Sequence, residues 1–213
     1  MARTKIKICG VTSVEDARLA CLSGADAIGL NFYTESKRGL TASQGFAIGV
    51  SLPPFVSKVG VFVNPSQGFV NKALETVAFD FLQFHGNESV SFCESFKLQY
   101  IKAIPAQTSQ QILQDLADFS SASAILLDTK VGASFGGTGE PFDWKIVPET
   151  KLPLIVAGGL NPQNVFEAVS LVRPFAVDVS SGVEKASIQK DFQMMREFVE
   201  QVRLADKALN EKV

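Results

Sequence analysis

The feature that most restricts the fold is an alternation of short apolar runs with longer segments of helical spacing, which continues through all 213 residues. The apolar runs are mostly continuous, which is typical of strands covered on both faces. Helical segments follow typical N-cap residues such as Ser13. The predicted strands are 5–9, 27–32, 56–63, 81–85, 100–104, 124–128, 153–157 and 175–179. The predicted helices are 14–22, 41–50, 67–77, 88–96, 109–119, 142–147, 161–172 and 187–205.

Eight strand–helix units of similar length predict an α/β fold, a closed (β/α)8 barrel formed by residues 1–213 as one domain. An open doubly wound sheet is the alternative. The barrel is favoured because polar residues recur where strands end, and in a barrel all these positions meet at one mouth. These residues are Cys9, Asn31, His85, Asp128 and Asp178.

The charge distribution restricts the class of partner. The formal net charge is -2, and the sequence has neither a basic tract nor an acidic tail. We therefore expect a small-molecule partner and no nucleic acid or membrane partner. No apolar run reaches the roughly 18 residues that a membrane span needs, and the first predicted strand begins too early to leave room for a targeting peptide. The sequence does not distinguish a monomer from a homodimer.

Cysteine and histidine usage bears on compartment and cofactors. The three cysteines are an odd number without CxxC spacing, which favours a reducing cytoplasm over a disulfide framework. With one histidine and no HxH or HxxxH pair, no metal site is expected. Neither GxGxxG after the first strand nor a P-loop is present, so no nucleotide cofactor is expected.

Cys9 is the first candidate for chemistry, although a free cysteine is more often a small buried hydrophobic residue. It ends the first predicted strand and is followed by Gly10. Lys7 lies two residues earlier and is expected on the same face at the substrate-binding mouth, where an ammonium would favour the thiolate. Cys21 and Cys93 lie in helical segments and are interpreted as structural.

Three further side chains each have a structural alternative. Asp128 ends a buried strand and is either a cap for the following loop or a catalytic acid. Arg38, in the loop after the second strand, is a planar cation suited to a carboxylate, or a solvated loop residue. His85 ends the fourth strand and is either structural or part of the site.

Two loops predict a phosphate site. Gly158 and Gly159 follow the seventh predicted strand, where glycines allow backbone amides to approach an anion. Ser180, Ser181 and Gly182 follow the eighth. In (β/α)8 barrels the loops after strands seven and eight often bind phosphate, so the strand count predicts a phosphorylated ligand.

These residues belong to segments that resemble, in order and over nearly the whole chain, the phosphoribosylanthranilate isomerases of tryptophan biosynthesis. The first and last of the matching segments together are highly specific. The segments are Lys7-Ile8-Cys9-Gly10, Val59-Gly60-Val61-Phe62, Leu82-Gln83-Phe84-His85-Gly86, Leu126-Leu127-Asp128, Gly136-Gly137-Thr138-Gly139 with Phe142-Asp143-Trp144, Ala157-Gly158-Gly159-Leu160, and Asp178-Val179-Ser180-Ser181-Gly182-Val183-Glu184.

The resemblance implies an isomerase that converts N-(5-phospho-β-D-ribosyl)anthranilate to 1-(o-carboxyphenylamino)-1-deoxyribulose 5-phosphate by an Amadori rearrangement, without a cofactor. It implies Asp128 as general acid and Cys9 as general base. Arg38 is implied to meet the anthranilate end, with His85 and Asp178 lining the same mouth. The glycine and serine loops are implied to hold the phosphate. Lys37 stands where the family usually has proline.

Two other functions remain open at this stage. The histidine-pathway isomerase that runs the same chemistry would be expected to have aspartate in place of Cys9 and a second glycine-rich phosphate loop in the first half. A non-catalytic barrel that binds a phosphorylated metabolite would have no need of both Cys9 and Asp128.

Overall fold

The computed structural model describes residues 3–129, 141–185 and 188–211, and in it the predicted barrel is closed. Eight parallel strands pair in chain order, and the eighth pairs with the first, with Lys7 opposite Asp178. The (β/α)8 prediction is therefore confirmed. The strands are β1 (Lys5–Cys9), β2 (Ala27–Asn31), β3 (Ser57–Phe62), β4 (Phe81–Phe84), β5 (Tyr100–Pro105), β6 (Ala124–Asp128), β7 (Leu154–Val156) and β8 (Ala176–Val179).

Helices cover the outside of the barrel, and hydroxyl side chains begin several of them. The hydroxyls of Ser13, Ser66 and Thr108 each accept a hydrogen bond from a backbone N–H in the first turn. Thr41 and Gln44 form a reciprocal capping box. The helices are α1 (Val14–Ser23), α2 (Ala42–Ser51), α3 (Gln67–Thr76), α4 (Val90–Glu94), α5 (Ser109–Asp118), α6 (Val165–Val172) and α7 (Phe192–Asn210).

The structure departs from the predicted helices at four places, one of which is α6, which begins at Val165 and not at the predicted residue 161. The final helix begins at Phe192, five residues after the predicted start, because the Asp191 carboxylate caps it by accepting from the N–H of Met194. The sixth connection contains only a 3-10 turn, Trp144–Ile146, within the described residues. The fourth helix, predicted over 88–96, spans only Val90–Glu94. The matching segment Gly136-Gly137-Thr138-Gly139 lies outside the described residues.

Strand alternation divides the core into two layers. Outward residues such as Ile8, Leu82 and Val177 pack beneath the helices. Small and branched side chains, among them Val59 and Leu126, fill the barrel interior. Because successive side chains point to opposite faces, the residues between the outward positions project into the barrel. The polar ones among these residues form the candidate site.

Candidate active site

The predicted site residues lie where the strand count placed them, at the carboxyl ends of the strands. Cys9 is the last residue of β1 and Asp128 the last of β6, and His85 follows β4 directly. Each comes one position after an outward-facing core residue, so each points inward. Asp178 lies inside β8 and is buried. The structure therefore brings these four side chains to one end of the barrel.

Cys9 is packed against a buried ion pair. The Lys7 ammonium lies 2.9 Å from the Asp178 carboxylate, and both side chains are less than a tenth exposed. The Lys7 ammonium also interacts with the Cys9 thiol, and this interaction helps to raise the pKa of Lys7. Gly29 on the neighbouring strand makes the space for this contact, because a Cβ there would lie 2.6 Å from the Cys9 Sγ.

The ionisation of Cys9 differs from what the sequence alone suggested. Burial raises the pKa of the Cys9 thiol, the negative charge of Asp178 raises it further, and Lys7 and Lys190 lower it by less. Lys7 thus acts in the predicted direction, but the net shift of the Cys9 pKa is upward. The pKa of Lys7 is also raised, because Asp178 and Cys9 together outweigh the cost of its burial.

Asp128 and His85 form the second pair of the mouth. The His85 Nε2 lies 3.4 Å from a carboxylate oxygen of Asp128, and both side chains are partly exposed. On the other side of the ring, the Gln83 Nε2 lies 2.8 Å from the His85 Nδ1. If that amide donates to Nδ1, the ring proton is on Nε2 and faces Asp128. Gln83 is almost fully buried, so it fixes the ring.

The glycine loop after β7 adjoins the acid. Gly158 and Gly159 both have left-handed backbone, with φ of 73° and 69°. A Cβ on Gly158 would lie 2.9 Å from an Asp128 oxygen and would collide with Thr129. Glycine is therefore required both for the backbone conformation and for the approach of the loop to Asp128.

The loop after β8 lies against the loop after β7. Ser180 leads into a 3-10 turn, Ser181–Val183, and a Cβ on Gly182 would collide with the carbonyl oxygen of Leu160. The two predicted phosphate loops are thus in backbone contact, as a shared anion site requires.

Arg38 crosses the mouth beside Cys9 and is held by a carboxylate from the other end of the chain. Its Nε and Nη2 donate to the two oxygens of Glu184, each over 2.7 Å. The Glu184 Oε1 also accepts from Lys190 Nζ at 2.6 Å. A Cβ on Gly10 would collide with the Arg38 side chain, so glycine at that position lets the arginine lie over β1.

Gln83, Glu184 and Lys190 are the site residues to which sequence reasoning gave no role. Each had a signal of some kind: Gln83 lies two residues before His85 on the same strand face, and Glu184 ends the last matching segment of the resemblance. Lys190 and Asp191 form a Lys-Asp pair of the kind that the resembled family tends to carry after Glu184. The contact of Lys190 with Glu184 could not be predicted, because it depends on how the chain turns before α7.

The described residues show neither a metal-binding cluster nor a membrane-spanning helix. Within residues 3–129, 141–185 and 188–211, no group of three or more His, Cys, Asp or Glu side chains could hold a metal ion. Over the same residues, no helix has the length and apolar character needed to cross a membrane. All three cysteines are free thiols.

Known proteins share both the sequence and the architecture. The family profile "N-(5'phosphoribosyl)anthranilate (PRA) isomerase" matches residues 6–201. The N-(5'-phosphoribosyl)anthranilate isomerase of Pseudomonas fluorescens SBW25 is 47% identical over 210 residues, which are 98% of this chain and 100% of the relative.

Two solved structures of such isomerases superpose closely. A structure of monomers generated from the dimeric Thermotoga maritima enzyme has a TM-score of 0.81 and 34% identity over 94% of this chain and 98% of the other. An isomerase bound to reduced 1-(o-carboxyphenylamino)-1-deoxyribulose 5-phosphate has a TM-score of 0.81 and 36% identity over the same shares. Sequence and structure together show that the chain belongs to the N-(5'-phosphoribosyl)anthranilate isomerase family.

Proposed function

We propose that the barrel mouth catalyses the Amadori rearrangement of N-(5-phospho-β-D-ribosyl)anthranilate in tryptophan biosynthesis, with Asp128 as general acid and Cys9 as general base. The observation that carries the proposal is the placement of these two side chains, both directed inward at the carboxyl ends of β1 and β6. Full-length similarity to isomerases of this name supports the same reaction.

The first step opens the sugar ring. Asp128 protonates the furanose oxygen, the bond from that oxygen to carbon 1 breaks, and the anthranilate nitrogen supplies the electron pair that forms the Schiff base. His85, 3.4 Å from Asp128 and held by Gln83, keeps the carboxyl group in position. Positioned proton transfer of this kind contributes typically about 10²–10⁴-fold to the rate.

The second step removes the proton from sugar carbon 2. The Cys9 thiolate accepts this proton, and the electron pair moves into the Schiff base to give an enolamine, which tautomerises to the ketone. A thiolate whose pKa is raised by burial is a stronger base than an ordinary one. Lys7, buried beneath Cys9, stabilises the thiolate. The base is therefore strong, and its deprotonated form can still be populated.

The two ends of the substrate are proposed to be held by separate loops. The phosphate is assigned to backbone amides of Gly158, Gly159 and the turn of Ser180, Ser181 and Gly182, whose close contact supports a shared anion site. The anthranilate carboxylate is assigned to Arg38, which lies beside Cys9. Asp178 and Lys7 are buried beneath this surface and act on the substrate through Cys9.

Turnover of the purified Cys9→Ala and Asp128→Asn variants tests these roles. Each variant should lose at least about a hundredfold in kcat and still bind a reduced product analogue almost as tightly as the parent, since neither change alters the charge on Arg38 or the phosphate loops. Near-parental turnover of Cys9→Ala would remove Cys9 from the mechanism. Binding of the analogue without turnover by the unaltered chain would indicate a binding protein instead.

The proposal extends to the compartment and the oligomeric state of the protein. The free thiols support a reducing compartment, as the cytoplasm is. The dimeric Thermotoga relative supports a homodimer as one of the two expected states. Sedimentation equilibrium of the purified chain distinguishes the homodimer from the monomer.

A further inference from the structure

Behind Arg38 lies a buried carboxylate, and behind that carboxylate lies a buried ammonium. The exposed fraction of the side chain falls from 26% for Arg38 to 9% for Glu184 and 0% for Lys190. Only the arginine therefore faces the mouth, and the two inner residues act through it. The pKa of the Glu184 carboxyl is lowered, because Arg38 and Lys190 outweigh its burial, so the carboxylate is ionised.

The net charge of Arg38, Glu184 and Lys190 decides whether Arg38 can still attract a substrate carboxylate. A bidentate Glu184 contact by itself would neutralise Arg38 and leave little attraction for a second carboxylate. Lys190 supplies the missing positive charge, since its Nζ lies 2.6 Å from Glu184 and its ammonium keeps the group of three at one net positive charge. Burial lowers the pKa of Lys190, and the contact with the Glu184 carboxylate opposes that shift and favours the ammonium form. Glu184 can then fix the guanidinium in place without cancelling its charge.

We propose that Glu184 and Lys190 are positioning residues that make Arg38 selective for a substrate with a carboxylate at its aromatic end. The proposal rests on the proposed function, in which Arg38 meets the anthranilate carboxylate. Glu184 orients the Arg38 guanidinium by accepting hydrogen bonds from its Nε and Nη2. Lys190 preserves the positive charge that attracts the substrate carboxylate.

Lys190 also joins the aromatic end of the site to the phosphate end. Its ammonium donates to the carbonyl oxygen of Ser180 over 3.1 Å, at the start of the loop assigned to phosphate. One buried side chain thus contacts both the Ser180 backbone and the carboxylate that holds Arg38. A change at Lys190 is expected to disturb phosphate binding as well, and a test must separate the two effects.

A pair of substrates achieves that separation. One is the anthranilate aminosugar phosphate, and the other is the same compound built on aniline, which has the phosphate but no carboxylate. The ratio of their kcat/KM values cancels any disturbance of the phosphate loop and reports the carboxylate alone. The variants are Lys190→Met, Glu184→Gln and the double variant, whose charges at Arg38, 184 and 190 sum to zero, two and one positive charges.

The expected order of the ratios follows from these charges. Lys190→Met should reduce the anthranilate preference at least about tenfold, because a buried charge change near the guanidinium is weakly screened. The double variant should recover most of that preference, although it has lost both ionic contacts. A purely structural role for Lys190 predicts the opposite, namely that the double variant is no better than Lys190→Met.

The outcomes also separate this inference from the proposed function. If the unaltered chain does not convert the anthranilate substrate, the proposed function fails. If it does, and the ratio is unchanged in Lys190→Met, the inference fails alone. Should Lys190→Met not fold, Glu184→Gln decides the question. Its amide oxygen can still accept a hydrogen bond from the Arg38 guanidinium while the net charge of the group rises, so its ratio should stay at or above the parental value. A tenfold fall would overturn the proposal.

Discussion

Replacing Asp178 with asparagine should lower the pKa of the Cys9 thiol. In the structure the Lys7 ammonium is shared between the Asp178 carboxylate, 2.9 Å away, and the Cys9 sulfur. Asp178 is itself one of the causes that raise the pKa of Cys9. Asparagine keeps a hydrogen-bond acceptor for Lys7 but removes the charge, so Lys7 is left with the thiolate as its ionic partner.

The size of the shift follows from Coulomb's law. Two groups that both contact one ammonium lie roughly 6 Å apart, and at an effective dielectric constant of about 20 a unit charge at that distance contributes about 3 kcal/mol. Relaxation of the side chains reduces this energy, so we expect Asp178→Asn to stabilise the Cys9 thiolate by about 1–3 kcal/mol and thereby to lower the pKa of the thiol.

The measurement is a pH titration of the ultraviolet absorbance of the thiolate, with the spectrum of a matched Cys9→Ser variant subtracted. The subtraction removes Cys21, Cys93 and the tyrosines. Lys7→Met serves as the paired variant and should raise the pKa of Cys9, because it removes a cation that stabilises the thiolate. Nonspecific disruption would shift both variants in the same direction, so only opposite shifts support the argument.

The kinetic consequence has a definite sign. In the proposed mechanism Cys9 acts as a base in its deprotonated form, so the rising limb of kcat/KM with pH should be centred on the thiol pKa of the free enzyme. In Asp178→Asn this limb should move to lower pH, and the plateau should fall because a thiolate of lower pKa is a weaker base. If Asp178→Asn leaves the thiol pKa unchanged or raises it, the assigned interaction of Lys7, Asp178 and Cys9 is wrong.

Two further changes have expected outcomes. Gly158→Ala should lower kcat by about a hundredfold or more, because the new Cβ collides with Thr129 and lies 2.9 Å from an Asp128 oxygen. Steady-state kinetics measure the change in kcat. A near-parental kcat would show that the loop can move to accommodate the Cβ. Lys102→Met leaves the buried Glu88 carboxylate without the ammonium 3.0 Å away and should cost about 3–5 kcal/mol of unfolding free energy. Urea denaturation tests this, and adding Glu88→Gln should restore part of the loss.

The sequence predicted the strands well because each of them is an apolar run between polar loops. β1 and β6 have the predicted bounds, and every other strand agrees to within one residue at each end. The closed barrel, and with it the common mouth of Cys9 and Asp128, followed from the number of runs. The final helix was predicted to begin too early, because Asp191, which caps it, lies inside a segment that can also be helical.

The contacts that control the charges could not be predicted in this way. Arg38 and Glu184 are 146 positions apart, and their pairing depends on the closure of β8 against β1. The sequence showed Lys7 as the cation nearest to Cys9 but not that Asp178 would compete for it. A pKa depends on all nearby charges and on burial together. The prediction that Lys7 lowers the pKa of Cys9 therefore had the correct sign, but the net shift of the Cys9 pKa is upward.

A regularity of the mouth explains why the supporting residues are polar. Lys7, Gln83 and Asp178 lie two positions before Cys9, His85 and Ser180, so each projects inward one layer below a residue at the mouth. A polar group in that layer is costly unless it is paired. Lys7 and Asp178 reduce this cost by pairing with each other across the β1–β8 contact. Gln83 does so only in part, because its Nε2 contacts His85 while its buried Oε1 has no hydrogen-bond partner among the described residues. Lys7 and Gln83 thus act on the residue directly above them, whereas Asp178 acts on Cys9, across the β1–β8 contact.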